Sequence, residues 1–269
     1  MNRNAYGSVV TENAYPLPNN DHDLSGQVAL VTGATSGLGR RFAHVLASAG
    51  AHVVISGRRA ERLAEVEAEI RESGAQATPY PLDVTDAAAI EALVDQVWND
   101  VGPIQILINN AGIPDAQRAH RMELELVDRV LDTNLRGPWL LSTAVATRLI
   151  ADELPGRQVN ISSSAAFHYA GAGAALYSVT KTAIARMSEV LAVEWARFGI
   201  NVNAIAPGAF ESEMMDGMLE RVGDISQGFP RKRIGAQAQL DSTLLYLCSP
   251  ASDAVTGTVI RVDDGQAPR

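Results

Sequence analysis

The sequence predicts one doubly wound α/β domain, a parallel seven-stranded sheet flanked by helices on both faces. From Gln27 onward, short β-branched runs alternate with longer stretches of helical period, the pattern of strands buried on both faces and joined by helical crossovers. The first of these strands runs straight into Thr32-Gly-Ala-Thr-Ser-Gly-Leu-Gly39, and a helical stretch follows at once. With 269 residues the chain can fill the core of one such domain.

The strands are read at Val28 to Thr32, His52 to Ser56, Ala77 to Pro81, Ile104 to Asn109, Gln158 to Ser162, Asn201 to Ala206 and Thr258 to Val262. Helices are expected to start near Gly37, Ala60, Asp86, Glu123, Ala174, Glu211 and Ala236. Right-handed crossovers between parallel strands then distribute them over both sheet faces. Residues 1–23 are rich in Asn, Pro, Tyr and Asp without sustained periodicity and read as a flexible arm ahead of a domain spanning 24–269.

Composition narrows the function. A net charge of -9 argues against a surface that neutralises a nucleic-acid backbone, so any phosphate should be small and locally cradled. One cysteine, Cys248, excludes an intrachain disulfide, and its Leu-Leu-Tyr-Leu-Cys setting reads as packing rather than thiol chemistry. The five histidines lack the close pairings of zinc motifs, so no metal is assigned. No apolar run reaches the roughly 20 residues of a membrane span, and the N-terminus lacks a signal pattern. The expectation is a cytoplasmic protein without a membrane partner.

The glycine-rich turn is read as a phosphate cradle. Gly33, Gly37 and Gly39 let the backbone turn tightly and approach a pyrophosphate, with Ser36 and Leu38 between them, while the helix that follows presents unpaired N–H groups. The second strand ends at Gly57, where recognition of a ribose 2'-hydroxyl would call for an acid, and Arg58 and Arg59 follow. A guanidinium there, assigned to Arg58, suits a 2'-phosphate, so the expected cofactor is NADP(H), with NAD(H) as the alternative. Asp83 and Val84 close the third strand, where the carboxylate can accept from an adenine amino group. Asn109-Asn110-Ala111-Gly112 closes the fourth, with residues small enough for close backbone approach.

Tyr177 and Lys181 stand four residues apart on one helix face. A phenol with an ordinary pKa of about 10 needs a nearby cation to work as an acid or base near neutrality, and Lys181 can supply it. Lys181 is one of only two lysines in the chain.

Taken in order, TGATSGLG, LDV, NNAG, the Asn134 of TNLRG, NISS, YSVTK and Pro207-Gly208 resemble the short-chain dehydrogenases/reductases over about residues 24–265. The resemblance, including that to 3-oxoacyl carrier-protein reductases, implies a Rossmann-type fold and hydride transfer between NAD(P)(H) and a ketone or secondary alcohol. It implies that Tyr177 transfers the proton. Lys181 would lower the tyrosine pKa and bind the nicotinamide ribose, Ser163 would hold the substrate oxygen, and Asn134 would pin a relay water. Alignment on Asn160-Ile-Ser-Ser selects Ser163, 14 positions before Tyr177, whereas the family's common spacing of about 13 selects Ser164; Ser163 is taken, with a one-residue insertion.

The resemblance further implies that Phe210 and Ser212, after Pro207 and Gly208, hold the nicotinamide carboxamide, and that 211–233 is a substrate lid. The lid's Met214, Met215, Met218, Leu219 and Phe229 suit an apolar substrate. Phe167, His168 and Tyr169 are expected on the opposite wall, and Arg118, Arg121, Arg129 and Arg136 on a face that can meet an acidic carrier protein. Long helices around Glu123 to Ile150 and Ala174 to Phe198 imply a homotetramer. The chain departs from the family's usual Val-Asp-Gly-Gly at Val262-Asp-Asp-Gly265, where Asp264 is expected to alter a turn or a subunit contact. Two other readings share the fold: an NAD-dependent alcohol dehydrogenase and a non-catalytic dinucleotide-binding protein.

Overall fold

The computed structural model describes residues 18–169, 171 and 173–267. Most of the expected arm, residues 1–17, lies outside them; from there the chain runs exposed to Leu24, which is fully buried and whose N–H donates to the Ala49 carbonyl at 2.7 Å.

Seven parallel strands form one sheet in the order β3-β2-β1-β4-β5-β6-β7. They are β1 (Val28–Thr32), β2 (His52–Gly57), β3 (Ala77–Pro81), β4 (Ile104–Asn109), β5 (Gly156–Ile161), β6 (Ile200–Pro207) and β7 (Val259–Val262). The order reverses between β1 and β4, and that switch point opens a crevice at the carboxyl ends of the strands. The helices are α1 (Gly37–Ser48), α2 (Ala60–Glu72), α3 (Ala87–Asp100), α4 (Leu124–Leu131), α5 (Gly137–Ala151), α6 (Ala175–Trp195), α7 (Glu213–Val222) and α8 (Asp241–Cys248).

Strand alternation builds the two layers. Ala29, Val31, Val53 and Ile55 face a core with Phe42 and Leu46 of α1, Leu63 and Ile70 of α2, and Leu244 and Cys248 of α8. Val28, Leu30 and Val54 face the other core, with Val94 of α3, Leu141 of α5 and Leu191 of α6. Parity slips once, between Val28 and Ala29, where the register on β4 jumps from Ile104 to Ile106. The skipped Gln105 uses its side chain instead, accepting from the Val28 N–H at 2.9 Å.

Several boundaries differ from expectation. β5 begins at Gly156, since Gly156 and Arg157 pair with Ile200 and Asn201. The helix expected near Glu211 starts at Glu213, and the one near Ala236 is a 3₁₀ turn, Gln237–Leu240, leading into α8. The largest difference lies between Glu123 and Ile150, where α4 and α5 are separated by a π-helical turn, Asp132–Arg136. Pro138 supplies the reason: it has no N–H to give to the Asn134 carbonyl one turn back, so the ladder widens and Gly137 donates to Asp132 five residues earlier.

Candidate active site

The crevice holds a cavity of about 590 Å³, within the range of ligand pockets. It is walled by the glycine-rich turn, residues 57–59, 82–84 and 110–114, the end of β5, Tyr177, Lys181, Pro207 and one side of α7.

The glycine-rich turn is laced to the end of β4. Thr32 Oγ1 accepts from the N–H groups of Asn110 and Ala111, each at 3.1 Å, while Asn110 Nδ2 donates to the carbonyls of Thr32 at 2.9 Å and Gly33 at 3.3 Å. The glycines are sterically required. A Cβ on Gly33, which has φ +66°, would stand 2.9 Å from Asn110 Nδ2, and one on Gly39 would stand 2.3 Å from the Gly33 carbonyl oxygen. Helix α1 starts at Gly37 with no side-chain cap, so its first N–H groups remain available beside the cavity. These features fit a pyrophosphate.

At the ribose end, Gly57 has a packing reason, since a Cβ there would lie 2.9 Å from Thr35 Cγ2. Arg58 is largely exposed and stands 4.0 Å from Asp83 Oδ2. Arg59 instead folds inward, donating to Thr35 Oγ1 and Ser36 Oγ, both at 2.8 Å, and to Glu213 Oε2 of α7 at 3.2 Å. The other Asp83 oxygen accepts from the Thr85 backbone N–H at 3.0 Å and hydroxyl at 2.9 Å, while Asp86, not Asp83, caps α3. Val84 is buried beside Asp83 in the cavity wall.

At the chemical end, Lys181 is buried, and its ammonium donates to the Ile161 carbonyl at 2.8 Å, 5.6 Å from the Tyr177 ring centre. Burial pushes that ammonium down to about 8. Part of the Tyr177 side chain faces the cavity, yet burial of its hydroxyl pushes the phenol above its ordinary range, the Ser163 hydroxyl opposing and Asp115 reinforcing this. Sequence spacing anticipates a phenol depressed by Lys181; in the structure the phenol is pushed up instead, burial being the largest cause. Ser163 lines the cavity with Tyr177, its hydroxyl accepting from the Ala165 N–H at 3.1 Å, whereas Ser164 opens the 3₁₀ turn Ser164–Ala166 outside the wall. That turn is anchored on α6, where the Ser178 hydroxyl donates to the Ala165 carbonyl at 2.5 Å.

Four of the expected site residues lie off the cavity wall. Gly39 is packed against the Gly33 carbonyl and Gly208 against Gln266 and Asp263, Phe210 is buried with its ring against Gly235, and Asn134 is fully buried in the π turn. The Asn134 amide is committed: Oδ1 accepts from Ile113 N–H at 2.8 Å, and Nδ2 donates to the Ile113 carbonyl at 2.9 Å and to Thr180 Oγ1 at 3.3 Å. The Asn134 main-chain carbonyl is the one Pro138 deprives of a helical donor. A Cβ on Gly112 would lie 3.4 Å from both Asn134 Oδ1 and Lys181 Nζ, so that glycine lets the two groups converge. Ser212 is in the wall, but its hydroxyl caps α7 by accepting from Met215 N–H at 3.1 Å. Of the five apolar lid residues only Met214 reaches the cavity, beside Glu213, Gly217 and Arg221, so this wall is mixed rather than apolar.

A family model described as short chain dehydrogenase matches residues 27–222. The chain belongs to the short-chain dehydrogenase family. Among its relatives, gluconate 5-dehydrogenase of Gluconobacter oxydans is 36% identical over 245 residues, covering 90% of this chain and 95% of that one. The 3-oxoacyl-(acyl-carrier-protein) reductase of Aquifex aeolicus is 36% identical over 244 residues, covering 90% and 98%. A crystal structure of a gluconate 5-dehydrogenase from Burkholderia cenocepacia in complex with NADP and tartrate superposes with a TM-score of 0.87 at 32% identity, covering 93% of this chain and 98% of that one. As a short-chain dehydrogenase the protein is an oxidoreductase of carbonyl and alcohol groups.

Within this short-chain dehydrogenase the inward arginine is Arg59, while Asp115 and Glu213 had no signal in sequence beyond being acidic. Their partners, the start of α6 and Arg59, are 62 and 154 positions away respectively. Asp264 adopts φ +54°, the left-handed region glycine favours, and pairs with Arg233 at 2.7 Å and Arg231 at 3.0 Å. It thereby ties the far end of the lid segment to the turn after β7. Cys248 is buried, its thiol pushed up to about 12 by burial. Among the described residues no helix is long and apolar enough to cross a membrane, and no group of His, Cys, Asp or Glu is placed to hold a metal ion.

Proposed function

We propose that this short-chain dehydrogenase transfers a hydride between NADP(H) and a ketone or secondary alcohol, with Tyr177 as the proton donor and acceptor. The observation that carries the proposal is one continuous crevice with an uncapped helix start and an inward arginine at one end and the Tyr177, Ser163 and Lys181 groups at the other. When bound, the nicotinamide supplies the hydride. The N–H groups at the start of α1 would hold the pyrophosphate, Arg59 the 2'-phosphate, and Lys181 a ribose hydroxyl. Ser163 would orient the substrate oxygen against the phenol, so that charge growing on that oxygen meets a donor already in place. Crystal complexes of relatives with NADP or NADPH support this cofactor reading.

Turnover of a panel of ketones, keto acids and 3-oxoacyl thioesters with NADPH and with NADH tests the reaction and its cofactor. Replacing Arg59 by alanine is expected to raise the KM for NADPH roughly tenfold to a hundredfold, since charge-assisted hydrogen bonds are worth about 1.5–3 kcal/mol, and to leave NADH unchanged. A larger effect at Arg58 would place the phosphate on that more exposed side chain, beside Asp83, instead. Replacing Ser163 by alanine is expected to lower kcat by about 10²-fold, on the scale of one lost oxyanion donor, while Ser164→Ala stays near wild type. The reverse pattern would assign the substrate contact to Ser164.

We further place the protein in the cytoplasm as a homotetramer. Exposed Val179 and Val193 on α6, with Leu124 and Trp139 on α4 and α5, supply apolar surface for subunit contacts. The arginines at 118, 121, 129 and 136 are exposed, so a carrier-protein face is sterically open, although Arg136 also pairs with Asp132 at 3.6 Å.

A further inference from the structure

Asp115 is a carboxylate only 2% exposed, in the loop between β4 and α4, and among the described residues no ion pair joins it. Three backbone N–H groups donate to it instead: Ala116 to Oδ1 at 2.9 Å, and Leu176 and Tyr177 to Oδ2 at 2.8 and 3.2 Å. The residue at the N-cap of α6 is Ala174, which has no side chain to offer, so the helix carrying the tyrosine is capped from a segment about sixty residues upstream.

The loop is built around this contact. Ala116 adopts φ +52°, unusual for a residue with a Cβ, and the next residue, Gln117, forms a β-bridge with Ala174. At its other end Ile113 is held through both N–H and C=O by the Asn134 side chain, which also donates to Thr180 Oγ1. Thr180 Oγ1 in turn donates to the Tyr177 carbonyl at 2.8 Å. The connections close a ring: Tyr177 N–H, Asp115, the loop, Ile113, Asn134, Thr180 and back to the Tyr177 carbonyl. Both polar groups of the tyrosine backbone are gripped by it.

We propose that Asp115 is a positioning residue for Tyr177, seating the first turn of α6 through the Asp115–Ile113–Asn134–Thr180 ring and standing as a fixed negative charge beside the phenol. The proposal rests on the reading of Tyr177 as the proton-transfer group. The charged side chains about Tyr177 are Lys181 on its own helix, 5.6 Å from the ring centre, and Asp115 on the loop, bonded to the Tyr177 N–H at 3.2 Å; Ser163, from the end of β5 and in the same cavity wall, is neutral. With Lys181 unchanged, removing the Asp115 charge makes the phenolate easier to form.

The test is the pH profile of kcat for alcohol oxidation in Asp115→Asn and Asp115→Glu, with a Tyr177→Phe variant alongside and thermal melts of all. Oxidation needs the phenolate, so its rate rises with pH through the tyrosine's titration. The expected result is that Asp115→Asn moves this limb to lower pH, that Asp115→Glu restores it towards wild type, and that Asp115→Asn lowers kcat about tenfold through looser seating while the cofactor's KM stays unchanged. If Asp115→Asn does not fold, Asp115→Ser, a neutral capping side chain, gives the same readout. A limb that stays where wild type has it, whatever the loss of activity or stability, overturns the proposal and leaves Asp115 a helix cap only. An active Tyr177→Phe overturns the reading of the tyrosine itself, a separate failure.

Discussion

Replacing Tyr177 by phenylalanine is expected to lower kcat by about 10²–10⁴-fold, the range that one general acid contributes, with the binding constant for NADPH unchanged. The ring stays, so the packing of α6 and the 5.6 Å approach of Lys181 are preserved, and only the hydroxyl is lost. Tyr177 shares the cavity wall with Ser163 and with the buried ammonium of Lys181. Steady-state rates combined with NADPH titration by fluorescence check the result. Equal loss of rate and of cofactor binding would point to a damaged site rather than a missing proton donor.

Replacing Gly39 by alanine is expected to damage cofactor binding and stability together. Its Cβ would stand 2.3 Å from the Gly33 carbonyl oxygen and 2.4 Å from Asn110 Nδ2, so backbone must move. Overpacking of this kind costs about 1–3 kcal/mol, and each kcal/mol lowers the Tm of a domain near this size by roughly 2–4 °C. The displaced atoms are the turn that presents the α1 N–H groups, so NADPH affinity should fall at least about tenfold on the 1 Å-misplacement scale. Gly74→Ala is the control for steric overlap: Gly74, unlike Gly39, has positive φ, but nothing lies within 4 Å of an added Cβ. It should lose some stability through backbone strain and keep its affinity for NADPH.

The sheet was legible because strands buried on both faces leave apolar runs that end where the chain must turn, and three of the seven strand readings, Val28 to Thr32, Ala77 to Pro81 and Ile104 to Asn109, coincide with the strands formed. The glycine turn was legible for the same local reason: strand, turn and helix follow one another without a gap. What the chain hides is pairing at a distance. Arg58 and Arg59 are equivalent in sequence, and only the position of Thr35, Ser36 and Glu213 decides which one folds inward. Asp115 is one acid among many until the loop brings it to the α6 N-terminus. The π turn stands between: Pro138 announces a lost hydrogen bond four residues upstream, but not whether the helix kinks, ends or widens there.

The lid shows the limit of composition as a guide. Met214, Met215, Met218, Leu219 and Phe229 suggest an apolar substrate, yet α7 turns Glu213, Met214, Gly217 and Arg221 to the cavity. A wall with one carboxylate, one guanidinium and one thioether suits a polar substrate at least as well, and the panel of carbonyl compounds therefore spans both kinds.

The most direct test of the account is single-turnover reduction with NADPH deuterated at the transferable C4 position, run over that panel and followed by mass spectrometry of the alcohol product. The expected result is one deuterium on the former carbonyl carbon, formed by the wild type and at least about a hundredfold more slowly by Tyr177→Phe. Alcohol lacking the label, or equal rates for the two proteins, would contradict it.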